Sequence, residues 1–293
     1  MGALNRGFAL TWLGHNTFKL VTRGAKTVLL DPWVEGNPSC PREHKTFDRI
    51  DVMTISHGHG DHMADAVTLG KKFTPAIVCN YEIHLFLSKK GVPNTSPMNK
   101  GGTQEAAGLK FTMVQALHSS GIEDGGRVIY GGEACGFVIT LEDGTRIYHA
   151  GDTAVFSDMA LIGELYAPDI ALLPIGDLYT MSPREAAVAA RMLKPKWIVP
   201  AHYGTFPALT GTPEALREEL AMRGALQPRL GLVLTSLVFA TLHVHYSWYG
   251  MATIALLGLL LGVIRDRTST TVAILVHTVY DLVAVFAAGG AAR

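Results

Sequence analysis

The stretch Asp51-Val52-Met53-Thr54-Ile55-Ser56-His57-Gly58-His59-Gly60-Asp61-His62 decides how this chain is read. Its first half is a short apolar run of strand character. Its second half packs three histidines and an aspartate into six residues. A buried strand ending in a glycine-punctuated loop can aim His57 and His59 at one point, while Asp61 and His62 begin the next turn and face a second. Imidazole and carboxylate suit Zn²⁺, with Mn²⁺ or Fe as alternatives when carboxylates increase. A solvated surface histidine tract would not follow a buried strand.

Two such points need further ligands, and the sequence offers His118, Asp152 and His202. Each stands just past an apolar run: 111–117, 147–151 and 197–201. A lone histidine after a strand is usually only a polar loop residue; beside the six-residue cluster these three become specific.

Outward from the cluster, residues 8–13, 17–21, 27–30, 52–56, 77–79, 110–116, 136–141, 146–149, 170–174 and 197–200 read as strands between turn signals. Helical patterns are interspersed, the clearest over 182–193, where Ser182 N-caps, Pro183 fits the first turn and Glu185 completes a capping box. This alternation predicts a layered α/β domain. No internal repeat or low-complexity segment interrupts it.

The whole chain has 293 residues, with 25 basic and 25 acidic side chains. Zero net charge argues against a large nucleic-acid surface, and no nucleic-acid partner is expected. Cys40, Cys79 and Cys135 are an odd count at no metal-like spacing, which argues against a disulfide framework and suggests a reducing compartment. Charged residues are only 17% and apolar residues reach 48%, too hydrophobic for a soluble protein of this size. The excess is local: only five charges follow residue 229, and 230–264 contains none. Three apolar spans, 230–247, 249–264 and 269–288, predict an all-α membrane segment. Arg229, Arg265 and Arg267 fall on one face of the first hairpin, cytoplasmic by the positive-inside rule. The expectation is a multi-pass cell-membrane protein whose N-terminal domain lies in the cytoplasm, with no signal peptide in the first 20 residues. The divisions expected are 1–211, a junction at 212–229, and 230–293.

With the cluster, the segments Thr11-Trp12-Leu13-Gly14-His15-Asn16-Thr17-Phe18, Asp31-Pro32-Trp33 and Ala201-His202-Tyr203-Gly204-Thr205-Phe206-Pro207 make residues 1–223 resemble the metallo-β-lactamase superfamily. More narrowly they resemble the UPF0173 metal-dependent hydrolases, in the UlaG-like branch. The resemblance implies an αββα sandwich with two metal ions at one edge. It assigns His57, His59 and His118 to one ion, Asp61, His62 and His202 to the other, and Asp152 as the bridge. Two such ions hold a hydroxide for attack on an ester, lactone or phosphodiester-type bond, with Asp61 orienting it. His15 is either a catalytic residue, facing substrate or supporting a metal ligand from behind, or a structural histidine. Asp31 either hydrogen-bonds a ligand histidine or makes an ordinary Asp-Pro turn. His149 reads as structural, and His44 and His84 as solvated or packed.

Ionisable groups inside membrane spans are functional candidates. The tail carries Glu218-Glu219 with Arg223, then Phe239 with His243, then His277 with Asp281 at i, i+4 on one helical face. These motifs resemble the CPBP (CAAX-processing, ABI) intramembrane metalloproteases over about 218–288. By that resemblance Glu218 activates water, while His243, His277 and Asp281 assist. The chain departs from that family in lacking leading spans, and the tail replaces the final strand expected of the hydrolase. The leading expectation is a membrane-tethered dinuclear hydrolase acting on a small-molecule or lipid-like substrate. The rivals are an intramembrane protease with an accessory N-terminal domain, and a recombined chain with neither half competent.

Overall fold

The computed structural model describes residues 7–225, with 252, 256–261 and 263. The chain divides into two compact units, Met1–Leu220 and Ala221–Arg293. Among the described residues no helix is long and apolar enough to cross a membrane. The three spans expected after residue 229 lie outside the described residues, apart from 252, 256–261 and 263, which are helical.

The first unit is built on two six-stranded sheets. The first sheet runs in order β1 (Ala9–Trp12), β2 (Phe18–Val21), β3 (Thr27–Leu30), β4 (Val52–Thr54), β5 (Ala76–Asn80) and β6 (Thr95–Met98). Its first three strands are antiparallel, and β3 to β6 are parallel. The second sheet begins with the antiparallel strands β7 (Thr103–Ala106) and β8 (Leu109–Gln115). A separate hairpin, β9 (Gly121–Asp124) and β10 (Arg127–Tyr130), follows. The second sheet then continues with β11 (Cys135–Thr140), β12 (Arg146–His149), β13 (Ile170–Pro174) and β14 (Trp197–Ala201), the last three parallel.

The period-2 alternation of these strands sorts their side chains into three apolar layers. Phe18, Leu20, Val28 and Leu30 meet Phe111, Met113, Phe137 and Leu172 between the sheets. From the other face of the first sheet, Leu29, Met53 and Ile77 pack on helices α2 (Ala66–Phe73) and α3 (Tyr81–Lys89), which follow the short α1 (Gly60–Met63). On the far side Tyr148, Ala171 and Leu173 pack on α4 (Met159–Tyr166) and α5 (Pro183–Leu193). The layers are therefore α, β, β, α. Each fully buried Leu, Ile or Phe contributes about 1.5–3 kcal/mol relative to exposure.

Local signals hold the helix ends. Ser182 Oγ accepts from Glu185 N at 3.4 Å while Glu185 accepts from Ser182 N at 2.9 Å, the capping box read from the sequence. Asn80 caps α3 through Ile83 N at 2.8 Å. Strands β6, β7, β9 and β10 were not legible in the apolar pattern because they are short and mostly polar or exposed. The β9–β10 turn is made by Gly125 and Gly126 with φ of 58° and 73°, the positive pair that a two-residue hairpin requires. Helix α6 (Pro213–Ala225) follows β14, and among the described residues no strand pairs with the outer edge of β14.

Candidate metal centre

The parallel strands β4, β12, β13 and β14 deliver their C-terminal ends to one edge of the sandwich, and the ligand-type side chains sit on the loops that leave them. His57 follows β4, Asp152 follows β12 and His202 follows β14; His118 joins them from the end of β8. Gly151 is at φ 63°, and a Cβ there would stand 2.7 Å from Ser56 Cβ, so this glycine lets the Asp152 loop pass against the His57 loop.

Three groups of ligand atoms form, each within 4.8 Å: His57, His59 and His118; His15, Asp61, His62 and His202; and His57, His62 and Asp152. Asp152 Oδ2 lies between them, at 3.0 Å from His202 Nε2, 3.3 Å from His62 Nε2, 3.5 Å from His118 Nε2 and 3.9 Å from His57 Nε2. The seven expected ligands thus share one neighbourhood, and His15 is a direct member of it. The structure does not bring Glu218 there: it is exposed on α6. His243, His277 and Asp281 lie outside the described residues.

Hydrogen-bond accounting sets the orientation of the rings. Asp31 is buried and acceptor-only; its Oδ1 accepts from Ser56 N at 2.8 Å and its Oδ2 from Ser56 Oγ at 2.7 Å and His62 Nδ1 at 2.8 Å. The Ser56 hydroxyl spends its one proton on Asp31, so His57 Nδ1, 3.0 Å from Ser56 Oγ, must donate to it. His57 therefore turns an Nε2 lone pair inward, and His62 does so once its second proton is displaced. His59 presents Nδ1 toward His57, with its Nε2 beside Ser119 Oγ at 3.2 Å. Asp61 Oδ2 is 2.9 Å from His15 Nε2, which must be the donor, and Thr205 Oγ1 divides its one proton between His15 Nδ1 at 3.0 Å and the Tyr203 carbonyl at 3.4 Å. Asp31 takes the ligand-orienting one of its two expected roles. His149 is buried with both ring nitrogens unpartnered among the described residues, 3.8 Å from Asp31 Oδ2.

The electrostatics match this arrangement. Burial lowers the pKa of His57, His59, His118 and His15 below the ordinary histidine value, favouring neutral imidazole. Burial works against a charged His62, but Asp152 and Asp31 raise its pKa well above 6.5. Burial also works against ionised Asp152 and Asp61, yet the facing histidines hold both carboxyls well below their ordinary range. His62 Nε2 and Asp152 Oδ1 are buried with no hydrogen-bond partner among the described residues. Buried polar atoms without partners are costly, and a cation shared between them satisfies both. The donor set of imidazoles and carboxylates therefore fits divalent transition metals.

His15, Asp31 and His202 all hold left-handed backbone, at φ 55°, 47° and 53°. Such residues cost of order 1–3 kcal/mol each and persist where surrounding bonds over-determine them. Here the His15 carbonyl accepts from both His202 N and Trp12 Nε1 at 2.8 Å. Sequence reasoning missed Ser56, Ser119 and Thr205; the first stands next to His57, the second next to His118, and the third three residues after His202.

Comparison with known proteins agrees with this geometry. A β-lactamase superfamily domain matches residues 26–203, and a type II CAAX prenyl endopeptidase Rce1-like family matches 205–283. A UPF0173 metal-dependent hydrolase from Koribacter versatilis is 54% identical over 213 residues, 73% of this chain and 91% of the relative. One from Methanopyrus kandleri is 44% identical over 215 residues, 73% of this chain and 92% of the relative. Among solved structures, the metallo hydrolase Igni18 of Ignicoccus hospitalis aligns with a TM-score of 0.65 at 34% identity, covering 73% of this chain and 91% of that one.

Proposed function

Because the chain belongs to the UPF0173 metal-dependent hydrolases of the β-lactamase superfamily, we propose that residues 1–211 form a dinuclear hydrolase that cleaves an ester, lactone or phosphodiester-type bond. His57, His59 and His118 would hold one ion and Asp61, His62 and His202 the other, with Asp152 available to both. The observation that carries this reading is Asp152 Oδ2, within 3.0–3.9 Å of imidazole nitrogens from both groups. Two divalent ions, Zn²⁺ with Mn²⁺ or Fe as alternatives, would supply a hydroxide nucleophile at neutral pH and polarise the scissile oxygen. The chain's own part is orientation. Asp31 and Ser56 key His57 and His62, while Thr205 and His15 hold the second oxygen of Asp61 away from rotation. Asp61 faces the reacting centre and orients the attacking water.

Residues 212–229 join this domain to an all-α segment of about three helices over 230–293 that anchors the protein in the cell membrane, with the hydrolase on the cytoplasmic side. The Rce1-like match at 205–283 and the charge-free run 230–264 support this placement. A small-molecule or lipid-like substrate suits an enzyme so tethered. The same Rce1-like match supports a second reading, an intramembrane metalloprotease using Glu218, His243, His277 and Asp281 with the N-terminal domain accessory.

Metal analysis and three substitutions decide between them. Under the first reading the intact chain fractionates with membranes, binds two ions and hydrolyses a generic ester or phosphodiester. His59→Ala then abolishes turnover while Glu218→Ala leaves it. Activity on a peptide that only Glu218→Ala or His277→Ala removes would establish the second reading. A folded, metallated domain with neither activity marks a recombined chain.

A further inference from the structure

The rings around the second ligand group are more than packing. Trp33 and Phe206 stand edge-on to His15, with centroids at 5.3 Å and 5.5 Å, and stack on each other at 6.0 Å and 28°. His15 in turn bonds Asp61. The backbone bearing Trp33 is fixed: Asn37 Nδ2 donates to the Trp33 carbonyl at 3.1 Å, and Val34 N and Glu35 N donate to Asp65 Oδ2 at 2.6 Å and 3.0 Å. Yet the wall is not covered, since Phe206 remains 37% exposed and Trp33 half-buried. A preorganised aromatic pair with an open face beside the reacting groups is the construction of a binding wall.

Other apolar side chains ring the same edge. Leu117, 47% exposed, directly precedes His118. Leu178 and Tyr179, 64% and 58% exposed, form the tip of a loop whose ends are held at the ligand loops. At one end Gly176 lies so close to His202 that a Cβ would meet its carbonyl at 2.1 Å; at the other Met181 N donates to the Thr153 carbonyl at 3.2 Å. Charge points the same way. No lysine or arginine occurs in 31–41, 56–63, 116–122, 151–158, 175–182 or 202–211, and Lys45, farther along the loop after β3, is engaged on the Glu35 carbonyl. The two ions would be the only cations facing a phosphodiester's non-bridging oxygens, whereas the aromatic wall favours an uncharged apolar group.

We infer that Trp33 and Phe206 form the wall of a subsite for an apolar acyl or aryl group, so that the substrate is an uncharged carboxylic ester or lactone rather than a phosphodiester. This rests on the hydrolase reading above and narrows its bond class. Hydrolysis would transfer the acyl group to water, breaking the acyl C–O bond and releasing a proton with either an alcohol and an apolar carboxylate from an ester or one hydroxycarboxylate from a lactone.

The test uses the full-length chain in phosphatidylcholine nanodiscs, loaded with Zn²⁺. p-Nitrophenyl acetate, p-nitrophenyl octanoate and bis(p-nitrophenyl) phosphate are compared. The octanoate should exceed the acetate in kcat/KM by about tenfold, with the phosphate diester slowest. Trp33→Ala and Phe206→Ala should each collapse the octanoate-to-acetate ratio by about fivefold or more, through KM, with bound Zn²⁺ per chain unaltered. An unchanged ratio in the double variant, or the phosphate diester as preferred substrate, overturns the inference. Calorimetric binding of 4-phenylbutyrate against acetate provides an arm independent of turnover. The phenylbutyrate should bind about fivefold tighter, and the double variant should lose that preference. If the loaded protein hydrolyses none of the three, the bond class proposed above fails, and retention of the phenylbutyrate preference in the double variant still refutes the wall.

Discussion

The two ligand groups at the sandwich edge are built on opposite plans. His57, His59 and His118 are all imidazole; His59 and His118 are half-buried, and His59 has a serine hydroxyl as its outer neighbour. The other group adds a carboxylate, buries His15, His62 and His202 almost completely, and secures its members through Asp31 and the Thr205–His15 pair. Solvent can substitute for a lost partner at His59 and His118 of the first group, though not at buried His57. At the second it cannot, and each missing bond leaves a buried polar atom without a partner. Where a ligand sphere is buried, its outer hydrogen bonds become part of its affinity for the ion.

Perturbations should separate the groups in graded steps. The largest effect is expected from Asp152→Ala, which removes the oxygen common to both groups; turnover should fall by about a thousandfold or more and bound metal below two ions per chain, read by steady-state kinetics and elemental analysis. Asp31→Asn keeps the shape but loses an acceptor for Ser56 Oγ or His62 Nδ1, and should weaken metal binding about 10- to 100-fold by calorimetry. Equal weakening of a variant at an unrelated surface carboxylate would remove the special status of Asp31.

The pH dependence should differ in sign of onset. His62 in the metal-free protein holds its proton above the ordinary histidine pKa, so an ion entering beside it must displace that proton. Affinity for the second ion should therefore rise about tenfold per pH unit from 6.5 upward until the raised pKa is passed. His57, His59 and His118 have lowered pKa values and are already neutral there, so the first ion's affinity should be flat above pH 6.5 and fall only on acidification. Proton release measured in buffers of different ionisation enthalpy checks both. Thr205→Val, which deletes the donor to His15 Nδ1, should cost the second ion about tenfold and the first nothing, with Thr205→Ser restoring it. Ser119→Ala, at the exposed outer face of His59, should change the first ion's affinity by no more than about threefold.

Much of this was legible in the sequence because the ligand types and their neighbours repeat one local rule. His57, Asp152 and His202 each follow an apolar parallel strand, and such strands end together at one edge. Outer contacts follow no such rule. Asp31 reaches Ser56 across 25 residues, and Thr205 reaches His15 across 190, so neither pairing has a local signature. The stacking of Trp33 on Phe206 is equally non-local. Strands β7 and β10 escaped because alternating apolar periodicity is a signal of burial, and these strands are largely exposed.

The bond between the His15 ring and Thr205, with His202 N on the His15 carbonyl, ties the first strand's loop to the loop after the last strand. The all-imidazole group has its last member at His118, whereas the second group waits for His202. At about 5–20 residues per second the intervening chain takes roughly 5–15 s to emerge. In that interval the nascent chain carries every member of the first group and three of the four in the second, so the second group is closed only by the last strand of the sandwich.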